Sequence, residues 1–182
     1  MTGESAPRNQ PLEARRLTLE ELLAHAFAIE QEAMDRYAEL ADQMDVHNNE
    51  DVATVFRKLR EVEEKHARQI ADRMTGLNIP EIPPDSYAWP GLEAPETVDY
   101  ADAHYLMTPW HALKMALTGE QQAFDFFDGV ARVAENHDVR ALAREFAEDE
   151  RDHVRMVEDL LAKQSEPAPG WDDDPDLPES QE

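Results

Sequence analysis

The chain has 182 residues, enough for one domain with a core of its own, and apolar side chains make up 41% of it. Its formal charge of -24 repels phosphate backbones and anionic lipid, which argues against nucleic-acid and membrane partners, and it attracts small cations. The absence of cysteine excludes disulfides, thiolate metal sites and a cysteine nucleophile.

Residues 1–17 are polar, lack the apolar centre of a signal peptide, and read as a flexible N-terminal segment of a cytoplasmic protein. No later run approaches the roughly 18 apolar residues that span a bilayer. Thr18-Leu19-Glu20-Glu21 is a capping box and opens the first helix. Its apolar stripe runs through Leu19, Leu22, Leu23, Ala26, Phe27, Ala33, Met34, Tyr37, Leu40, Ala41 and Met44. A few residues near Val46–Asn49 turn the chain into a second helix, from about Asn48 to a stop at Gly76. Residues 77–107 hold Pro80, Pro83, Pro84, Pro90 and Pro95, too many for one long helix. They are numerous enough to run the length of a bundle as a crossover, with a short helix expected near Tyr100–Tyr105. Thr108-Pro109 caps and starts a third helix, and a fourth runs from about Asp138 to Gln164. Short loops make the first and second helices antiparallel neighbours, and likewise the third and fourth. The expected domain is therefore an all-α four-helix bundle over residues 18–164, two antiparallel hairpins joined by the long crossover. Residues 165–182 read as an acidic disordered tail. Seven of the 41 acidic residues fall in it, and the other 34 still outnumber the 17 bases two to one.

The hairpins repeat one another. Glu30-Gln31-x-Ala33-x-Asp35-x-Tyr37 matches Glu120-Gln121-x-Ala123-x-Asp125-x-Phe127, and Glu63-x-x-His66 matches Glu150-x-x-His153. A single Glu-x-x-His is weak evidence, since an acidic chain produces one by chance. Two within a repeat, each about thirty residues after a lone glutamate, are a ligand set for a pair of iron ions in a four-helix bundle. Register supports this. Leu23, Glu30, Tyr37 and Met44 lie at heptad spacing, as do Phe56, Glu63 and Ile70; Leu113, Glu120 and Phe127; and Ala143, Glu150 and Val157. His66 and His153 follow one turn later on the same faces. Ordinary amphipathic helices would carry these charges on the polar face, and here all six share the apolar stripe. Four carboxylates facing one core repel each other, and two divalent cations neutralise them. Carboxylate and imidazole donors suit Fe or Mn. The six glycines form no phosphate-binding loop, and neither flavin nor nucleotide is called for. His25, His47, His104, His111 and His137 have no partner at ligand spacing and read as surface or packing residues.

On these residues the chain resembles the ferritin-like di-iron carboxylate superfamily, in particular the rubrerythrin-like branch without a rubredoxin domain. The resemblance covers about residues 18–164 and implies that Glu63 and Glu150 bridge two metals. It makes Glu30 and Glu120 terminal ligands, with one of His66 and His153 on each ion. It also places Tyr37 near the site and gives Asp149 the role of orienting His66, although core packing and a surface charge explain these two residues equally well. Rubrerythrins proper have a seventh glutamate three residues after the third-helix ligand, where this chain has Ala123, and a cysteine-bound iron domain that this chain does not contain. The haem-binding methionine of bacterioferritins would fall at Glu64, so no haem is expected.

The resemblance implies a di-iron oxidoreductase of the peroxidase or ferroxidase type, oxidising Fe(II) with O2 or H2O2 and, as a peroxidase, needing an external electron donor. Two alternatives follow from the same residues. The stretch Glu30–Tyr37 is also similar to aldehyde-deformylating oxygenases, which act on an organic substrate. A non-enzymatic iron-binding protein docking a partner through its acidic tail is the other. Phe124, Phe126 and Phe127 place apolar rings on more than one face of the third helix, which suggests a homodimer or a larger homo-oligomer.

Overall fold

The computed structural model describes residues 14–89 and 93–172. Within them the chain forms four long helices and no strand: α1 (Leu19–Val46), α2 (Glu50–Met74), α3 (Pro109–Val133) and α4 (His137–Leu161). Residues 1–13 and 173–182, most of the N-terminal segment and of the acidic tail, lie outside the described residues.

Each helix starts where its sequence provides a cap. The Glu21 N–H donates to Thr18 Oγ1 at 3.1 Å, and the Thr18 N–H donates to the Glu21 carboxylate at 2.8 Å. Asn49 caps α2 through the Val52 N–H, and its amide reaches the Met107 carbonyl at 2.8 Å and that of Tyr105 at 3.1 Å. One asparagine thus starts a helix and pins the end of the crossover. At α3 Pro109 fills the first helical position, and His111 Nδ1 accepts from the Thr108 N–H at 3.0 Å. Asn136 caps α4 through the Asp138 N–H at 2.8 Å.

Most interhelical contact lies within the hairpins α1–α2 and α3–α4. The α1–α2 turn is tight enough to put Asn48 in the left-handed region at φ 56°, a conformation that asparagine tolerates. The crossover contains a 3-10 turn at Tyr100–Asp102, shorter than the helix expected there. It is anchored near its start by His25 of α1. His25 Nε2 accepts from the Ala88 N–H at 3.0 Å, and Nδ1 lies 2.6 Å from the Glu21 carbonyl. Tyr87, Trp89 and Phe126 pack around the imidazole.

The apolar interior is divided in two. One cluster includes Leu22, Ile29, Ile70, Ala123, Phe127 and Ala147, and the other Ala33, Tyr37, Leu59, Leu117 and Val157. On each helix the passage from one cluster to the other falls at or beside a glutamate: Glu30 between Ile29 and Ala33, Glu63 between Leu59 and Ile70, Glu120 between Leu117 and Ala123, and Glu150 between Ala147 and Val157. The bundle therefore carries one polar layer at a common height, sandwiched between two hydrocarbon layers.

Phe126 packs on His25 and Trp89, Phe127 on Phe146, and Phe124 lies 5.2 Å from the Arg151 guanidinium. All three rings are engaged within the chain. Trp171, from the first part of the tail, packs on His111 with ring centres 3.8 Å apart and planes tilted by 36°. None of the described helices is long and apolar enough to cross a membrane.

Candidate metal centre

All six residues singled out by spacing meet in the polar layer. Glu63 and Glu120 are wholly buried, and Glu150 and Glu30 are 2% and 4% exposed. His66 and His153 stack across the bundle, ring centres 4.0 Å apart and planes 11° from parallel. His66 Nδ1 lies 3.2 Å from Glu63 Oε2 and 3.7 Å from Glu30 Oε2; His153 Nδ1 lies 3.0 Å from Glu150 Oε2 and 3.3 Å from Glu120 Oε2. Each Glu-x-x-His turn thus closes on itself and on the lone glutamate of its own hairpin partner.

The layer contains a seventh residue that spacing did not reveal. Glu96 comes from the crossover, is 1% exposed, and brings a carboxylate oxygen within 4.8 Å of ligand oxygens of Glu30 and Glu63. Glu63, His66 and His153 form a second group of this size, and Glu120, Glu150 and His153 a third. The three groups overlap at Glu63 and His153, so they form one continuous cluster of potential metal ligands.

Burial and crowding distort the acidity of these groups. Burial first, then the charges of Glu150 and Glu63, raises the Glu30 carboxyl well above its ordinary value. Burial and Glu120 do the same to Glu63, and burial with Glu63 and Glu120 to Glu96. Glu150 is pushed up to about 7 by burial, even though His153 pulls it down. The histidines diverge. Burial, the neighbouring His153 and Lys65 drop His66 to about 4. Burial also pulls His153 down, but its hydrogen bond to Glu150, its ion-pair contact with Glu120 and the charges of both carboxylates outweigh it and lift the ring to about 11. On Glu150 burial wins and on His153 ion pairing wins, because one proton held on the imidazole serves two carboxylates. Glu30 Oε2, Glu63 Oε1 and both oxygens of Glu120 and Glu96 are buried without a hydrogen-bond partner. Buried carboxylate oxygens without partners are costly, and a metal ion is one partner that would satisfy them.

A cleft of about 120 Å³ opens beside the layer and is lined by Glu30, His66, Arg73, Asp149, Glu150 and His153, among others. Asp149 sits on its exposed side, at the mouth. Tyr37 is fully buried, its hydroxyl has no hydrogen-bond partner, and burial followed by Glu96 and Glu120 suppresses its ionisation. Ala123, where rubrerythrins proper carry a glutamate, is a fully buried core residue.

Comparison with known proteins agrees with this geometry. The family model described as rubrerythrin matches residues 21–106 and 111–169. The crystal structure of an uncharacterized conserved protein from Magnetospirillum magnetotacticum MS-1 is 38% identical, with a TM-score of 0.64 over 84% of this chain and 99% of that one. No curated protein matches. A four-helix bundle with this buried layer, matched by the family model along most of its length, belongs to the rubrerythrin family.

Proposed function

We propose that the chain is a di-iron oxidoreductase, with Glu30, Glu63, His66, Glu120, Glu150 and His153 holding two iron ions, and that it oxidises Fe(II) with O2 or H2O2. The observation that carries this reading is the set of orphaned carboxylate oxygens sealed between two apolar layers. Bound iron would supply two-electron chemistry toward a small oxidant. The chain's own contribution is to hold the ligands between two apolar layers and leave a small cleft beside them. A cleft of about 120 Å³ suits an oxidant of two heavy atoms and is well below the roughly 300 Å³ at which pockets for organic ligands begin. That favours O2 or H2O2 over an organic substrate. Asp149 and Asp152 line the same cleft together with Arg73, so carboxylates outnumber cations along the approach. Peroxide reduction would require electrons from a partner, because a chain without cysteine cannot hold a thiolate iron centre.

The test is anaerobic Fe(II) loading followed by rapid mixing with O2 and, in parallel, H2O2. Faster oxidation by peroxide would mark a peroxidase. Rapid oxidation by O2 that recurs with each new addition of Fe(II) would mark iron handling. Glu63→Ala and Glu150→Ala should each abolish paired-iron binding, and two irons per chain in either variant would refute the ligand assignment.

A further inference from the structure

We infer that Glu96 is a metal ligand carried by the crossover, making the connection between the hairpins a fifth wall of the centre. This rests on the metal centre proposed above and adds to it a donor from outside the helical repeat. Glu96 has the placement of a ligand and of little else. It is 1% exposed, both carboxylate oxygens lack a hydrogen-bond partner, and one of them joins Glu30 and Glu63 within 4.8 Å. A glutamate buried only by packing would turn an oxygen toward a donor.

The segment around Glu96 is clamped from two helices. On α1, the Glu32 carboxylate accepts from the Ala94 N–H at 2.8 Å and from Thr97 Oγ1 at 3.3 Å, on either side of Glu96. One turn further along, Arg36 donates to the Val98 carbonyl, pairs with Glu93 at 2.7 Å, and lies 3.8 Å over the Tyr100 ring. On α3, Gly119 provides the seat. A Cβ added there would lie 2.6 Å from the Glu96 carbonyl oxygen. That neighbour is backbone, so it cannot swing aside as a side chain would. Glycine weakens a helix interior by roughly 1 kcal/mol relative to alanine. Here, next to Glu120, it lets the crossover backbone touch the helix that carries a ligand. Glu96 thereby supplies a fifth carboxylate from outside the four helices. Five carboxylates exceed the charge of two divalent ions and approach that of two trivalent ones, so Glu96 should favour the oxidised pair.

The experiment is anaerobic titration with Co²⁺, read by visible absorbance, and with Fe²⁺, read by stoichiometry, on wild type, Glu96→Gln, Gly119→Ala and Glu63→Ala. Helical circular dichroism checks that each variant folds. Glu96→Gln keeps the shape and removes the anionic donor, so it should weaken one of the two ions by at least 10-fold and alter the Co²⁺ spectrum of that ion. Gly119→Ala, which favours the helix but evicts the Glu96 backbone, should reproduce the loss with Glu96 intact. Wild-type affinity and spectrum in Glu96→Gln, with binding lost in Glu63→Ala, would overturn the role of Glu96 and leave the centre standing. Wild-type binding in both would overturn the centre as well. Wild-type binding in Gly119→Ala alone would overturn the seat.

Discussion

Replacing Glu63 by glutamine should stabilise the metal-free protein and remove its response to metal, two effects of opposite sign from one substitution. Ligand oxygens of Glu30, Glu63 and Glu96 lie within 4.8 Å of one another. At an effective dielectric constant near 20, two ionised carboxylates at that separation repel by about 3.5 kcal/mol. Partial protonation relieves some of this, so neutralising Glu63 should be worth about 1–3 kcal/mol at pH 8. For a chain of this size that is a rise in Tm of about 3–10 °C. The pH dependence follows from the raised carboxyl. A carboxyl with a higher pKa folded than unfolded adds stability that is complete below the unfolded value and is lost as pH rises through the folded one. The advantage of Glu63→Gln should therefore vanish near pH 4.5 and grow toward pH 8. Mn²⁺ at 100 times its dissociation constant should stabilise wild type by about 2.7 kcal/mol per site and the variant by far less. Thermal unfolding with chelator and with Mn²⁺, at pH 5 and 8, measures all four terms. A chelated variant less stable than wild type at pH 8, or one stabilised equally by Mn²⁺, would refute the reasoning.

Two further predictions concern the crossover. Arg36→Ala removes the bond to the Val98 carbonyl, the Glu93 pair and the Tyr100 contact, and should cost about 1–3 kcal/mol while speeding amide exchange at residues 94–100. His25→Ala strands the buried Ala88 N–H and empties the space between Tyr87, Trp89 and Phe126, so denaturant unfolding should show a loss of about 2–4 kcal/mol with metal binding retained.

The parts of this molecule that repeat were legible, and those that do not repeat were hidden. Thr18, Asn49, Thr108 and Asn136 mark helix starts because capping is local chemistry written in adjacent residues. The six residues of the helical layer were found because a helix turns register into position, so a glutamate seven residues from a buried leucine is itself buried. Glu96 offered no such rule. It sits among prolines and other acids in a segment without periodicity, and its burial depends on contacts with residues about sixty positions earlier. One trace was present in Gly119, a glycine inside a helix beside a candidate ligand, where close backbone approach is the usual reason. His25 was hidden likewise, since its partner is a backbone N–H in the crossover. The contacts of Phe124 with Arg151 and of Phe126 with Trp89 were hidden too, because the sequence does not show which residues pack against these partly exposed rings.

The sequence repeat also suggests a symmetric centre, and the geometry breaks that symmetry through the two histidines. Their rings are stacked 4.0 Å apart, so one positive charge on the pair strongly opposes a second. His153 has the closer carboxylates, at 3.0 and 3.3 Å against 3.2 and 3.7 Å for His66. The proton accordingly stays on His153, lifted to about 11, and His66 is left neutral at about 4. A metal ion reaching His66 finds a free lone pair, whereas one reaching His153 must displace a proton held by two carboxylates. At pH 6.5 the first equivalent of Zn²⁺ should therefore shift the His66 imidazole signals in heteronuclear NMR, and only the second those of His153. Raising the pH to 9 should narrow the gap between the two steps, because the proton to be displaced is held less firmly. Equal response of both rings to the first equivalent at pH 6.5, or His153 responding first, would show that the proton is not placed as the distances require.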